Sequence, residues 1–107
     1  YLCLVYLDEK RLAELPDGDC VAFDSSIRES GHCLASEALE SVHTATTVRL
    51  RQGRLSGTDG PFAATKEVLN GFYLLECADL DEAIATAARI PGSWHGAVEL
   101  RPVIMFK

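Results

Sequence analysis

No stretch of this chain stays apolar for longer than the seven residues Tyr1 to Leu7, far short of the roughly 20 that a membrane-spanning helix needs. No membrane association is expected. Basic residues are scarce: ten Lys and Arg stand against 16 Asp and Glu, for a net charge of −6 and a pI of about 4.9. A protein that wraps phosphate backbones draws most of its affinity from counterion release at a basic face. Arg49, Arg51 and Arg54 are the one basic cluster, and they are too few for that role, so no nucleic-acid partner is expected. Cys3, Cys20, Cys33 and Cys77 contain no C-x-x-C pair, which removes the zinc and thioredoxin-type signatures. Cys3 and Cys77 fall inside strand-like runs, where a free thiol behaves as a small hydrophobe, so free cysteines in a reducing compartment are expected. There is no G-x-G-x-x-G, Walker A, G-x-S-x-G or H-E-x-x-H pattern, so nucleotide, serine-hydrolase and zinc-protease readings have nothing to rest on. His32, His43 and His95 show no metal-ligand spacing, and neither a metal nor a cofactor is expected. The N-terminal residues lack the basic start and small-residue cleavage site of a signal peptide, and a cytoplasmic location is expected.

What is present fits one globular domain over residues 1–107, with 48% hydrophobic and 24% charged residues. Tyr1–Leu7 reads as a strand that is apolar on both faces. After the loop Asp8–Asp17, the residues Phe23, Ile27, Ser30 and Leu34 lie at helical spacing, with Gly31 as a stop. Thr46, Val48 and Leu50 alternate with Thr47, Arg49 and Arg51, a strand with one polar face. Gln52-Gly53 turns into a short strand, Leu55–Thr58, and Asp59-Gly60-Pro61 ends the hairpin. Ala64–Leu69 reads as one helical turn closed by Asn70-Gly71, and Phe72–Cys77 as a second two-faced apolar strand. Asp79 with Glu82 three residues later forms a helix N-cap with an acid at N3. Leu80, Ala83, Ile84, Ala87 and Ala88 supply the apolar stripe, Pro91-Gly92 the stop, and Ala97–Val103 a last strand.

The order is β-α-β-β-α-β with a hairpin insertion, the ferredoxin-like pattern of an α+β protein with a four-stranded antiparallel sheet. Two helices cover only one face of such a sheet, yet the strands at Leu2–Leu7 and Phe72–Cys77 are apolar on both. The simplest cover for the second face is another copy of the same sheet, so a homodimer is expected.

Ala45-Thr-Thr-Val-Arg49, Thr58-Asp-Gly-Pro-Phe62, Thr65-Lys-Glu67 and Gly71-Phe-Tyr-Leu-Leu-Glu76 resemble the DGPF segment family of YCII-related proteins in order and spacing. Asp79-Leu-Asp-Glu-Ala83, Ile90-Pro91 and Gly96-Ala-Val-Glu-Leu-Arg-Pro102 continue the match, which is close over residues 42–103 and only in outline before them. The resemblance implies a dimeric α/β barrel of ferredoxin-like protomers, related to muconolactone-isomerase-like enzymes and to monooxygenases that work without a metal. It also implies an association of some members with extracytoplasmic-function sigma factors, and hence a regulatory module as the alternative to a small-molecule site. The YCII branch carries a proposed catalytic His near the first helix, paired with an Asp. The helix entry here, Asp17–Asp24, holds no His, so that dyad and its dehalogenation or elimination chemistry do not carry over.

Candidate groups follow from position. Asp59 closes a turn, either as an Asx-turn acceptor with Phe62 plugging the core or as a carboxylate at a cleft rim. His95 has the intrinsic pKa, near 6.5, for proton transfer close to neutrality, or is a surface residue. Lys66 beside Glu67 is a solvated pair or an anion anchor. Glu76, Glu99 and Arg101 lie on strands, where a covered charge needs a partner, and Arg49 is able to join them in binding an anionic substrate. Tyr6 and Tyr73 read as core or interface residues. The expected function is small-molecule binding, with a cofactor-free proton transfer in a cleft between sheet and helices.

Overall fold

The computed structural model describes residues 1–10, 23, 25–63, 65–91, 93 and 96–104. The helix entry at 17–22, Cys20, Trp94 and the candidate His95 lie outside the described residues. Six strands are present: β1 (Leu2–Leu7), β2 (Cys33–Ala38), β3 (Thr46–Arg51), β4 (Arg54–Asp59), β5 (Val68–Leu75) and β6 (Ala97–Arg101). Helical residues 25–29 (α1) precede β2, and α2 (Leu80–Ala87) joins β5 to β6.

The main sheet has the order β2-β5-β1-β6, and each neighbouring pair is antiparallel. Counted along the chain, the second, third, first and fourth strands stand side by side. This is an α+β protein with the ferredoxin-like sheet, and β3–β4 form a separate two-stranded sheet.

Alternation along β1 explains where the core sits. Cys3, Val5 and Leu7 are buried and pack with Phe23 and Ile27 of the first helical segment, with Leu75, and with Ala87 and Ile90. In α2 the buried residues are the small Ala83 and Ala87, four apart, while Leu80 and Ile84 face out at 48% and 50% exposure. Asp79 caps this helix as expected, accepting the Glu82 N–H at 2.8 Å. Phe23 meets Tyr73 edge-on with 5.3 Å between ring centroids. Burial, followed by the charge of a Cys77 thiolate, pushes the Cys3 thiol up to about 11. The Cys77 thiol is also pushed up, by burial and then by the Glu82 carboxylate. Cys3, Cys33 and Cys77 are free.

No helix among the described residues covers the opposite face of the sheet. Register places Leu2 beside Leu74 and Arg101, Leu4 beside Phe72 and Glu99, and Tyr6 beside Leu69 and Ala97. These residues are only half-buried or exposed in the single chain. The hairpin is barer still, with Val48, Leu50 and Leu55 at 63%, 67% and 74% exposure. The radius of gyration is 15.6 Å, against about 13 Å for a compact domain of 100 residues.

Three expectations about local structure are corrected. Leu34 belongs to strand β2, not to a helix, because His32 and Cys33 pair with the segment at Leu75–Glu76. Residues 65–67 form no helical turn, and β5 starts at Val68 and continues through Asn70-Gly71, where its register against β1 slips by one residue at Asn70. Gly71 is needed there as a close approach: a Cβ would stand 2.9 Å from the Glu37 carbonyl oxygen. Phe62 does not plug the core, being 75% exposed.

Candidate functional site

A cleft of about 590 Å³ opens at the Tyr6 end of the bare sheet face. Tyr6 and Leu69 form its floor, the segment from Ala38 to Ala45 one wall, and Pro61, Phe62, Ala63 and Thr65 the other. The expected position was between sheet and helices; this cleft lies on the other side of the sheet.

Each wall is held by local chemistry. A short 3-10 turn, Val42–Thr44, forms the first wall, with Ser41 at its N-cap accepting from the His43 N–H. Glu9, two residues past β1, clamps this turn: one carboxylate oxygen accepts the Val42 N–H and the other the Ser41 hydroxyl, the latter at 3.0 Å. A carboxylate that accepts two donors in this way holds the wall to the end of the central strand. Thr44 donates its hydroxyl to the Ser41 carbonyl at 2.7 Å.

The second wall hangs from the hairpin. Gln52 and Gly53 both have positive φ, 51° and 76°, as a two-residue type I′ turn requires, and set the register Arg51 opposite Arg54. That register ends at Thr46 opposite Asp59. Gly60, at φ 111°, then turns the chain; its N–H donates to the Ala45 carbonyl at 2.7 Å, and its own carbonyl accepts the Thr47 hydroxyl at 2.8 Å. The turn is thus closed by backbone and Thr47 rather than by Asp59, whose carboxylate accepts no hydrogen bond among the described residues. Pro61 and Phe62 are thereby aimed over the cleft, and the Arg49 guanidinium lies 4.8 Å above the Phe62 ring.

The other sequence candidates are spread over the molecule. Asp59 borders the wall without lining the cleft, and Lys66 is exposed just past it. Glu99 and Arg101 pair with each other along β6 at 3.3 Å, both well exposed, an arrangement of little energetic weight. Glu76 lies past the end of β5, at the opposite end of the sheet from the cleft. Among the described candidates, the structure brings Arg49 to the rim and gathers none of Asp59, Lys66, Glu76, Glu99 and Arg101 into the cleft. Sequence reading missed Glu9, Glu40, Ser41, Thr44 and the floor role of Tyr6. The one available signal was Ser41, a capping residue two before His43.

The lining is mostly apolar, from Ala38, Leu39, Val42, Phe62 and Leu69 among others, with the Tyr6 hydroxyl and the Glu40 carboxylate as polar groups that make no hydrogen bond among the described residues. Such a surface suits a compact organic molecule with an apolar body and one or two polar ends. Fold and site together define a ferredoxin-like α+β protein with a ligand-sized cleft on its exposed sheet face.

Comparison with known proteins agrees with the sequence resemblance. The family model of the YCII-related domain matches residues 1–107. "Uncharacterized protein R00369" of Rhizobium meliloti (strain 1021) is 35% identical over 116 aligned residues, covering 100% of this chain and 94% of the relative. The chain belongs to the YCII-related domain family. Among the described residues no helix is long and apolar enough to cross a membrane.

Proposed function

We propose that this protein is a homodimer that binds a small organic molecule in the cleft between the Val42–Thr44 turn and the Pro61–Thr65 loop. The observation that carries the reading is the cleft itself: about 590 Å³, walled by two braced loops and floored by Tyr6 and Leu69. The homodimer rests on the apolar face to which that floor belongs, since Leu2, Leu4, Phe72 and Leu74 continue it across the sheet. A second sheet laid on that face removes it from water and closes the open side of the cleft. The exposed Val48, Leu50 and Leu55 of the hairpin add an arm that reaches a neighbour.

The chemistry that suits the site is proton transfer. Tyr6 and Glu40 line the cleft as a phenol and a carboxylate without hydrogen-bond partners among the described residues, beside Ser41, Thr44 and Thr65, and Arg49 at the rim complements an anionic ligand. Asp59 borders the cleft without lining it, and His95 lies outside the described residues. A regulatory module paired with a sigma factor is the second reading, and the exposed apolar hairpin is the observation that favours it.

A thermal-shift screen of small organic acids and esters against the wild-type chain, Tyr6→Phe and Phe62→Ala tests the reading. A compound that stabilises the wild type and loses its effect in both variants supports the cleft. A compound that stabilises all three equally places its site elsewhere.

A further inference from the structure

At the other end of the sheet, three side chains with different donor atoms converge. His32 precedes β2, Cys77 lies two residues past β5, and Glu82 sits in the first turn of α2. One donor atom from each lies within 4.8 Å of the other two, and all three residues are half-buried. His32 Nδ1 stands 3.3 Å from Glu82 Oε1. The convergence is braced from three sides. The Glu76 N–H donates to the His32 carbonyl at 2.7 Å, the Glu76 carbonyl oxygen lies 2.9 Å from Nδ1, and the Asp79 cap fixes the helix turn that carries Glu82.

We propose that His32, Cys77 and Glu82 form a binding site for a thiophilic divalent cation of the zinc type. A tetrahedral zinc ion, with bonds of about 2.3 Å to sulfur and about 2.0–2.1 Å to nitrogen and oxygen, holds its ligand atoms about 3.3–3.6 Å apart. The imidazole and carboxylate already stand at that separation, and the sulfur reaches it with a small side-chain adjustment. Binding moves the imidazole proton from Nδ1 to Nε2 and releases the Cys77 thiol proton to solvent, and the Glu76 carbonyl oxygen, 2.9 Å from Nδ1, is a further donor within reach. A nitrogen, a thiolate and a single carboxylate favour zinc, cobalt or cadmium over magnesium and calcium, which prefer oxygen alone. The acidic chain, with Asp79 and Asp81 close by in sequence, raises the local cation concentration. No spacing rule finds this set, because residues 32, 77 and 82 meet only through the β2–β5 pairing and the helix that follows.

The test is a Co²⁺ titration of the full chain in metal-free buffer with a non-thiol reductant. The expected result is saturation at one equivalent with a near-ultraviolet thiolate-to-cobalt charge-transfer band, displaced by Zn²⁺. Cys77→Ser loses the band, whereas Cys3→Ser and Cys33→Ser keep it. Glu82→Gln weakens Zn²⁺ at least tenfold in competition with a chromophoric chelator, whereas Asp81→Asn does not. Circular dichroism checks that each variant stays folded, and Glu82→Gln decides the matter if Cys77→Ser does not fold. Absence of the band at saturating Co²⁺, a band that survives Cys77→Ser, or an unchanged affinity in Glu82→Gln overturns the proposal.

Discussion

Cys3, Val5 and Leu7, on one face of β1, are 0%, 6% and 3% exposed, whereas Val48, Leu50 and Leu55 of the hairpin are 63%, 67% and 74% exposed. Cys3, Val5 and Leu7, like Val48 and Leu50, are apolar residues at every second position of a strand, and Leu55 stands opposite Leu50 on the neighbouring strand. The first set faces the helices and forms the core; the second is covered by nothing among the described residues. Alternation along a strand therefore reports that a face is meant to be covered, and says nothing about whether the cover is a helix of the same chain or another molecule. The outer face of β1 and β5 stands between these extremes, half-covered at Leu2, Leu4 and Leu74.

The sharpest way to break this comparison is to cut both regions equally. Leu75→Ala, at a residue 1% exposed, should cost roughly 2–5 kcal/mol in chemical denaturation. Leu55→Ala in the hairpin should leave the unfolding of the separated chain within about 0.5 kcal/mol of wild type. Equal losses at the two sites would show that the hairpin is packed within its own chain.

The buried face also carries a pH signature. The Cys3 thiol is raised from 9.0 to about 11 in the fold, so the unfolded chain gives up this proton first as pH rises. Stability is fully present below pH 9 and falls between about pH 9 and 11, by roughly 2–3 kcal/mol at about 1.4 kcal/mol for each pH unit. Denaturation curves of the wild type and Cys3→Ala across this range should diverge in that window only. Parallel curves would contradict the burial of this thiol.

At the cleft the expected stability effect is the smallest. Phe62→Ala removes a ring that is 75% exposed, so the melting of the separated chain should move by well under 1 kcal/mol. Ligand binding should nonetheless fall at least tenfold, because the ring walls the cleft. Arg49→Gln, which removes the cation above that ring, should weaken anionic ligands more than neutral ones, as titration calorimetry would show.

Much of the fold was legible in the residues. The two-faced run Tyr1–Leu7, the Gln52-Gly53 turn and the Asp79 cap each carry a local physical cause, and each forms in the place expected. Strand β2 was not legible. Leu34-Ala-Ser-Glu-Ala38 holds helix-forming residues in step with Phe23 and Ile27, and it becomes a strand only because β5 offers an edge to pair with. Asn70-Gly71 signals a turn by composition, yet Gly71 serves a close backbone approach inside β5. The signature Thr58–Phe62 borders the cleft through Phe62, not through the Asp59 carboxylate that its composition singled out. Its rigid turn presents Phe62 to a cleft, while the Asp59 side chain stays outside. The cleft's other wall depends on Glu9 reaching Ser41 and Val42, a contact across more than 30 residues that no local pattern encodes.

The proposed homodimer, whose partner covers the bare sheet face and the hairpin, is tested most directly by light scattering with size-exclusion chromatography at micromolar concentration. The wild-type chain should run at twice its 11.6 kDa mass, and Leu74→Asp, which puts a charge in the middle of the bare face, should run as a folded or partly folded single chain. A wild type that stays at 11.6 kDa across that range, with the same profile as Leu74→Asp, would contradict the account.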